Sequence, residues 1–192
     1  MKKILIGCLV LVSFASSCKQ EAKIDRIKIA EEYYKMLDTS DDVGLVPLLA
    51  DSILTKETEY NYEYTYAMKD YVQWLKWDAA FEPTYEVIEM VEENDEVKVR
   101  VSKIDKRIEF LHKEPIITNQ ILRFKNDKIS SIETIKYVNF NDSLFVKNRD
   151  ELVNWIDQYH PELNGFINDQ TEVGGQKYLR AMDYFENERS LE

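Results

Sequence analysis

Apolar positions along the chain follow two rhythms, and the change from one to the other marks out its elements. Ile27, Ala30, Tyr34 and Leu37 recur at helical spacing, and Ile29, Tyr33 and Met36 widen the same stripe, so an amphipathic helix is expected from residue 24. Asp38-Thr39-Ser40-Asp41-Asp42 ends that helix and offers caps for a second, short one with Leu45, Leu48 and Leu49 inward, which Gly44 and Pro47 keep brief. From Ile53 the period becomes two. Tyr60, Tyr62, Tyr64 and Tyr66 alternate with Asn61, Glu63 and Thr65, the pattern of a strand with one aromatic and one wet face. Helical spacing returns over 67–80 in Met68, Tyr71, Val72, Leu75 and Ala79, with Trp74 and Trp77 flanking the stripe.

Strands follow Pro83. Residues 85–91 form one, Glu93-Asn94-Asp95-Glu96 a turn, and Val97, Val99 and Val101 alternate with Lys98, Arg100 and Ser102 in the next. Residues 103–114 fit a strand through Ile108, Phe110 and His112 and a helix through Ile104, Ile108 and Leu111, so the pattern assigns only an excursion that returns at Pro115. The clearest element is a long hairpin, 116–124 and 129–138, about Asn126-Asp127. A two-residue turn sets Phe124 opposite Ile129 and puts Thr118, Gln120 and Leu122 on one face with Ser131, Glu133, Ile135 and Tyr137; a one-residue bulge would exchange the faces of the second strand. Beyond 139–143 the strands stop. Residues 150–159 read as a helix, Gly165, Gly174 and Gly175 bracket a loop, and a last helix from Gln176 gathers Tyr178, Leu179, Met182 and Phe185. The order is that of an α+β protein.

The first residues are patterned differently. Lys2 and Lys3 precede an apolar run over 4–14, and Ala15-Ser16-Ser17 leads into Cys18, which marks 1–17 as a secretory signal peptide too short to span a bilayer. Cys18 resembles the acylated cysteine of the bacterial lipobox, although Ala15 stands where leucine is usual. Several acyl chains hold a protein stably at a membrane. The expectation is export and anchorage in the lipid bilayer of the cell envelope through Cys18, with 18–23 as the lipidated cysteine and tether. Lys19 lacks the aspartate that resembles an inner-membrane retention signal, which makes the outer membrane of a diderm bacterium the expected destination.

Charge and cysteine usage narrow the chemistry. The formal charge of −11 becomes −13 once Lys2 and Lys3 leave with the signal, and so acidic a surface repels nucleic acid. Cys8 leaves as well and Cys18 is acylated, so no disulfide, thiolate nucleophile or cysteine metal ligand remains in the mature chain. With His112 and His160 the only histidines, neither a zinc site nor a histidine-dependent triad is expected, and no cofactor is implied.

Helix, short helix, strand, helix and then a long sheet ending in a hairpin resembles the nuclear transport factor 2-like superfamily, which includes the SnoaL-like polyketide cyclases and ketosteroid isomerase. The run Leu37-Asp38-Thr39-Ser40-Asp41-Asp42-Val43-Gly44-Leu45-Val46-Pro47-Leu48-Leu49-Ala50-Asp51 looks like that superfamily's first helix junction, and Leu122-Arg123-Phe124-Lys125-Asn126-Asp127-Lys128-Ile129 looks like its final hairpin. The resemblance covers 24–141 and leaves 142–192 as a C-terminal helical extension. It implies a cone-shaped, curved antiparallel sheet wrapped around the N-terminal helices, with a pocket at the open end. The isomerase branch pairs a carboxylate base with an oxyanion hole of a tyrosine and a protonated acid. Laid onto this chain, the resemblance puts Tyr33 at the tyrosine, Glu57 at the base and Gln120 in place of the acid, an amide that donates without needing a proton.

Tyr60, Tyr62, Tyr64, Tyr71, Trp74 and His112 are the candidate pocket wall. The leading expectation is a membrane-anchored lipoprotein that binds, without catalysis, a small, partly apolar ligand or a protein partner in its cone. The rival is an isomerase, cyclase or dehydratase acting on a carbonyl compound. A third possibility is a structural subunit that forms a homodimer through the sheet.

Overall fold

The computed structural model describes residues 25–189; the signal peptide, Cys18 and the whole of the tether expected from the sequence lie outside the described residues. Six strands, β1 (Leu49–Glu57), β2 (Tyr62–Ala67), β3 (Thr84–Glu93), β4 (Glu96–Ile104), β5 (Ile116–Lys125) and β6 (Lys128–Tyr137), form one sheet in the order β2-β1-β6-β5-β4-β3. The β1–β6 pairing is parallel and all the others are antiparallel, so the sheet is mixed where a purely antiparallel one was expected. Asn94-Asp95 and Asn126-Asp127 close the two long hairpins with φ of 53° and 65° and of 50° and 62°. Left-handed backbone at both central residues is the type I′ geometry, whose twist matches that of the strands it joins.

Bulges interrupt the β3–β4, β5–β6 and β1–β6 ladders, and each bends the strand that carries it, leaving the sheet curved and unclosed. Those in β6 have a larger consequence. Phe124 faces Ile129 as the two-residue turn requires, but Arg123 then faces Ser131, so Ser130 is an extra residue and the next stretch of β6 changes face. Gln120 pairs with Thr134, and Glu133 goes to the opposite side. A second bulge at Ile135 restores the original sense, which brings Tyr137 opposite Thr118.

Helices α1 (Arg26–Asp38) and α3 (Met68–Ala79) lie against one face of this sheet, with the short α2 (Asp42–Leu45) between them in sequence. Asp25 caps α1 by accepting from the Lys28 amide, and Asp41 caps α2 by accepting from Gly44. Ala30, Tyr33, Tyr34 and Leu37 from α1 and Tyr71 and Leu75 from α3 pack on Val97, Val99, Val101, Leu122, Ile129 and Ile132. A second cluster holds Trp77, Phe81, Phe110 and Leu111 with Leu152, Ile156, Tyr178 and Ala181, and Trp74 packs against both clusters.

Several elements differ from the sequence expectation. The tyrosine ladder is not one strand: Thr58–Tyr60 make a single 3-10 turn, Asn61 adopts φ 49°, and only Tyr62, Tyr64 and Tyr66 lie on β2. Residues 103–114 resolve into the end of β4 and the helix α4 (Lys106–Leu111), whose cap is Asp105 accepting from the Ile108 amide at 2.6 Å. Helix α5 (Asp142–Tyr159) starts eight residues before the expected 150, because Asn141 accepts from Leu144 and caps it. Gly174 and Gly175 sit inside α6 (Glu172–Arg189) rather than in a loop. A Cβ on Gly175 would stand 2.7 Å from the Ala80 Cβ and 3.0 Å from the Trp77 carbonyl, so the glycine permits α6 to press against the end of α3. Among the described residues no helix is long and apolar enough to cross a membrane.

The face of β6 opposite the core carries Glu133, only 7% exposed. It accepts from Thr58 at 2.7 Å and from Arg123 at 2.7 Å and pairs with Lys56 at 3.0 Å, which ties β1, β5 and β6 together. The Thr58 hydroxyl, opposed by partial burial and helped by Arg123 and Lys56, holds the carboxyl at about 2 against an ordinary 4.5. A carboxyl depressed in this way stabilises the fold above its unfolded pKa, and that contribution disappears as pH falls through the folded value. Glu133→Gln should therefore destabilise the protein at pH 7 by about 2 kcal/mol, the range for a hydrogen-bonded charge. In thermal denaturation the gap to the parent should close as pH falls from 4.5 to 2.

Candidate functional site

Between the helices and the sheet lie two adjoining chambers, each partly open to solvent. The smaller, about 140 Å3, is lined by residues of α1, α3, β1, β3, β5 and β6. The larger, about 510 Å3, lies beside α3 and α4 and is walled on its far side by α5. Glu57, Trp74, Tyr85, Gln120 and Thr134 line both.

Strand pairing explains why these polar groups converge. Parallel pairing puts Glu57 of β1 beside Thr134 of β6, and the bulge at Ser130 puts Thr134 beside Gln120 of β5, so the three form a row across the sheet. Without that bulge, Glu133 would occupy the position of Thr134. Tyr33 comes from α1 and lines the smaller chamber with Glu57 and Gln120. The three residues singled out from the sequence are thus brought to one space. Of the proposed wall, Tyr71 lines the smaller chamber, Tyr60 the larger and Trp74 both.

Tyr62, Tyr64 and His112 line neither chamber. The two tyrosines are about half exposed on the edge strand β2, 49% and 53%. His112 is buried at the end of α4, where Nδ1 contacts the Glu114 carbonyl at 2.8 Å and Nε2 lies 2.9 Å from the Asn141 amide. The Asn141 N–H must donate, so Nε2 accepts and Nδ1 carries the proton. The imidazole stitches the end of α4 to the start of α5, stacked on Phe140.

The polar groups of the chambers are largely engaged with one another. The Tyr34 hydroxyl donates to Gln120 Oε1 at 2.7 Å, and Gln120 Nε2 donates to Thr118 at 3.1 Å and to Thr134 at 3.5 Å. Tyr137 donates to Glu57 at 3.1 Å. The hydroxyls of Tyr33 and Tyr71 are 2.7 Å apart. Only one proton can lie between two hydroxyls, so one member of that pair keeps a donor for another acceptor. Burial raises the pKa of Tyr33, Tyr34, Tyr71 and Tyr137, to which Tyr71 adds at Tyr33 and Glu57 at Tyr137. These phenols are hydrogen-bond donors at physiological pH, not bases.

Beneath the larger chamber sits a buried ion cluster. Asp78, 2% exposed, accepts from Lys103 Nζ at 2.5 and 2.7 Å and from the Tyr85 hydroxyl at 3.0 Å, and Lys103 also approaches Asp105 at 3.3 Å. Burial pushes the Asp78 carboxyl up, but Lys103, Arg107 and Tyr85 together bring it below its ordinary value. Two aromatic groups line the space: Trp74 and Trp77 from α3, 6.4 Å apart, and a run of Tyr60, Tyr137, Phe140 and Phe145 with successive centroids 5.3–5.5 Å apart.

Sequence reasoning missed Tyr34, Asp78, Tyr85, Lys103, Arg107, Tyr137 and Arg149. Tyr34 lies within the apolar stripe of α1, and nothing in the stripe separates a tyrosine that packs from one whose hydroxyl reaches Gln120. Asp78 had a usable signal, since a carboxylate on the stripe side of a helix, three residues after Leu75, calls for a cation.

No family model and no curated protein sequence matches the chain. Solved structures do. A Kribbella flavida protein assigned as a ketosteroid isomerase superposes with a TM-score of 0.50 at 13% identity, over 60% of this chain and 78% of its own. A second Kribbella flavida protein gives 0.51 at 9% identity, over 65% and 93%. A Streptomyces antibioticus protein assigned as a polyketide cyclase gives 0.49 at 14%, over 66% and 99%. At such identities the likeness extends to the fold, and the fold is nuclear transport factor 2-like.

Proposed function

We propose that this protein is a cell-envelope lipoprotein whose two-chambered cavity binds a small, partly apolar molecule without transforming it. The observation that supports binding most directly is the larger chamber, about 510 Å3 and lined by two groups of aromatic rings, within the range of small-molecule sites. The groups that could act chemically are turned toward one another instead of being left free: Gln120 uses its carbonyl and its amide, and Glu57 accepts from Tyr137. A ligand in this space meets aromatic faces and a polar floor. Helix α5, which supplies Phe145, Val146 and Arg149, makes the C-terminal extension part of the binding site.

The deciding experiment is mass spectrometry of small molecules released on denaturing the purified full chain. A stoichiometric, partly apolar compound is expected. A chain that carries nothing, and whose tryptophan emission is unmoved by added aromatic probes, would sink the idea.

Anchorage through Cys18 belongs to the same proposal. Cys18→Ala should move the protein from the membrane fraction to the soluble one, and an unchanged distribution would count against lipidation.

One observation favours catalysis as a second reading: Tyr33, Glu57 and Gln120 line the same small chamber, and the Tyr33–Tyr71 pair keeps a spare donor. An enzyme of this kind would exchange the α-protons of a bound ketone with deuterated solvent. Proton NMR on a panel of cyclic ketones should show exchange that Glu57→Gln slows by at least a hundredfold, within the range for losing a general base. No exchange above the buffer rate leaves binding alone.

A further inference from the structure

We infer that the molecule held in the larger chamber is an anion, a flat apolar body bearing a carboxylate or a group of like geometry, and that Arg107 is the residue that receives it. This rests on the binding role proposed above and adds the charge of the ligand to it.

Three cations line the chamber, and two of them are committed. Lys103 is held by Asp78 and Asp105, and Arg149 pairs with its neighbour Asp150 at 2.8 Å. Arg107 is different. None of its five N–H groups has an acceptor and it makes no ion pair among the described residues, while its Nε is buried. Asp78 feels its charge without bonding to it. The guanidinium carbon lies 5.0 Å from the Trp77 ring centroid and 5.5 Å from that of Phe81, so the group is held against two aromatic rings while its N–H groups keep no acceptor.

A partly buried guanidinium with no partner is costly, and two parallel hydrogen bonds to a carboxylate are what its fork matches best. The acids that face the same space do not serve. Asp78 is saturated by Lys103 and Tyr85, and Glu57 is bonded to Tyr137. Asp142 stands on α5 at the opposite wall and makes no ion pair with Arg107. The rings of Trp74, Trp77, Tyr137 and Phe145 give an apolar body faces to pack on beside the polar floor.

The test compares 2-naphthoate with 2-naphthamide, two probes of one shape that differ in charge, by quenching of tryptophan emission on the full chain at pH 7. Naphthoate should bind at least tenfold more tightly, and that preference should shrink as salt is added. In Arg107→Gln the preference should vanish while naphthamide affinity is retained, which also reports that the variant is folded. Equal binding of acid and amide to the parent, or a preference that survives Arg107→Gln, overturns the anionic assignment and leaves the binding cavity standing. If neither probe binds the parent, the anionic assignment falls, and the binding cavity falls with it only if the purified chain also carries no small molecule. Should Arg107→Gln fail to fold, the acid–amide difference and its salt dependence in the parent decide the matter without it.

Discussion

The structure depends on α3 being buried on two sides at once. Tyr71 and Leu75 pack it on the sheet, Trp77 and the adjoining Phe81 pack it on α4 and the C-terminal helices, and Trp74 belongs to both contacts. A helix sandwiched in this way cannot shift toward one layer without opening a void against the other, and interiors tolerate voids poorly. Its position is therefore set from both sides, and the space beside it is set too. The absence of a Cβ on Gly175 belongs to the same constraint, since it fixes how near α6 can come.

That rigidity bears on the polar groups. Tyrosine hydroxyls that donate to Gln120, Glu57 and Asp78 are ordered before any ligand arrives, so little side-chain entropy would be lost on binding. A site with most of its hydrogen bonds already made internally favours a ligand that brings mostly apolar surface and one strong polar group. Arg107 is the cation of the larger chamber left to meet such a group, and the Trp77 indole N–H beside it is a second donor without an acceptor.

How far the sequence foretold this varies by element, for physical reasons. Helical periodicity located α1 and α3 to within two residues, because each has a continuous apolar stripe that nothing else explains. Asn126-Asp127 marked its turn because few residue pairs adopt two successive positive φ values. The start of α5 was hidden by Asn141-Asp142-Ser143, residues that cap helices as readily as they form loops. Resemblance brought Tyr33, Glu57 and Gln120 into one list, and the structure brings them to one chamber. Arg107 and Lys103 were not legible, since their significance lies in which acids reach them across the fold, and no local pattern records that. Tyr62 and Tyr64 misled for the converse reason: alternation shows that a strand has two faces, but on an edge strand neither need be covered.

The extra residue at Ser130 is also a rule for comparing this chain with others. From Ser131 to Thr134, a one-residue difference in length decides whether Glu133 or Thr134 stands in the row between Glu57 and Gln120. Two homologues could be nearly identical along β6 and still present opposite chemistries to their ligands, a carboxylate in one and a hydroxyl in the other. Chemical preference within such a lineage would then diverge by insertion and deletion, and a gap placed one position off would hide the event from anyone counting substitutions.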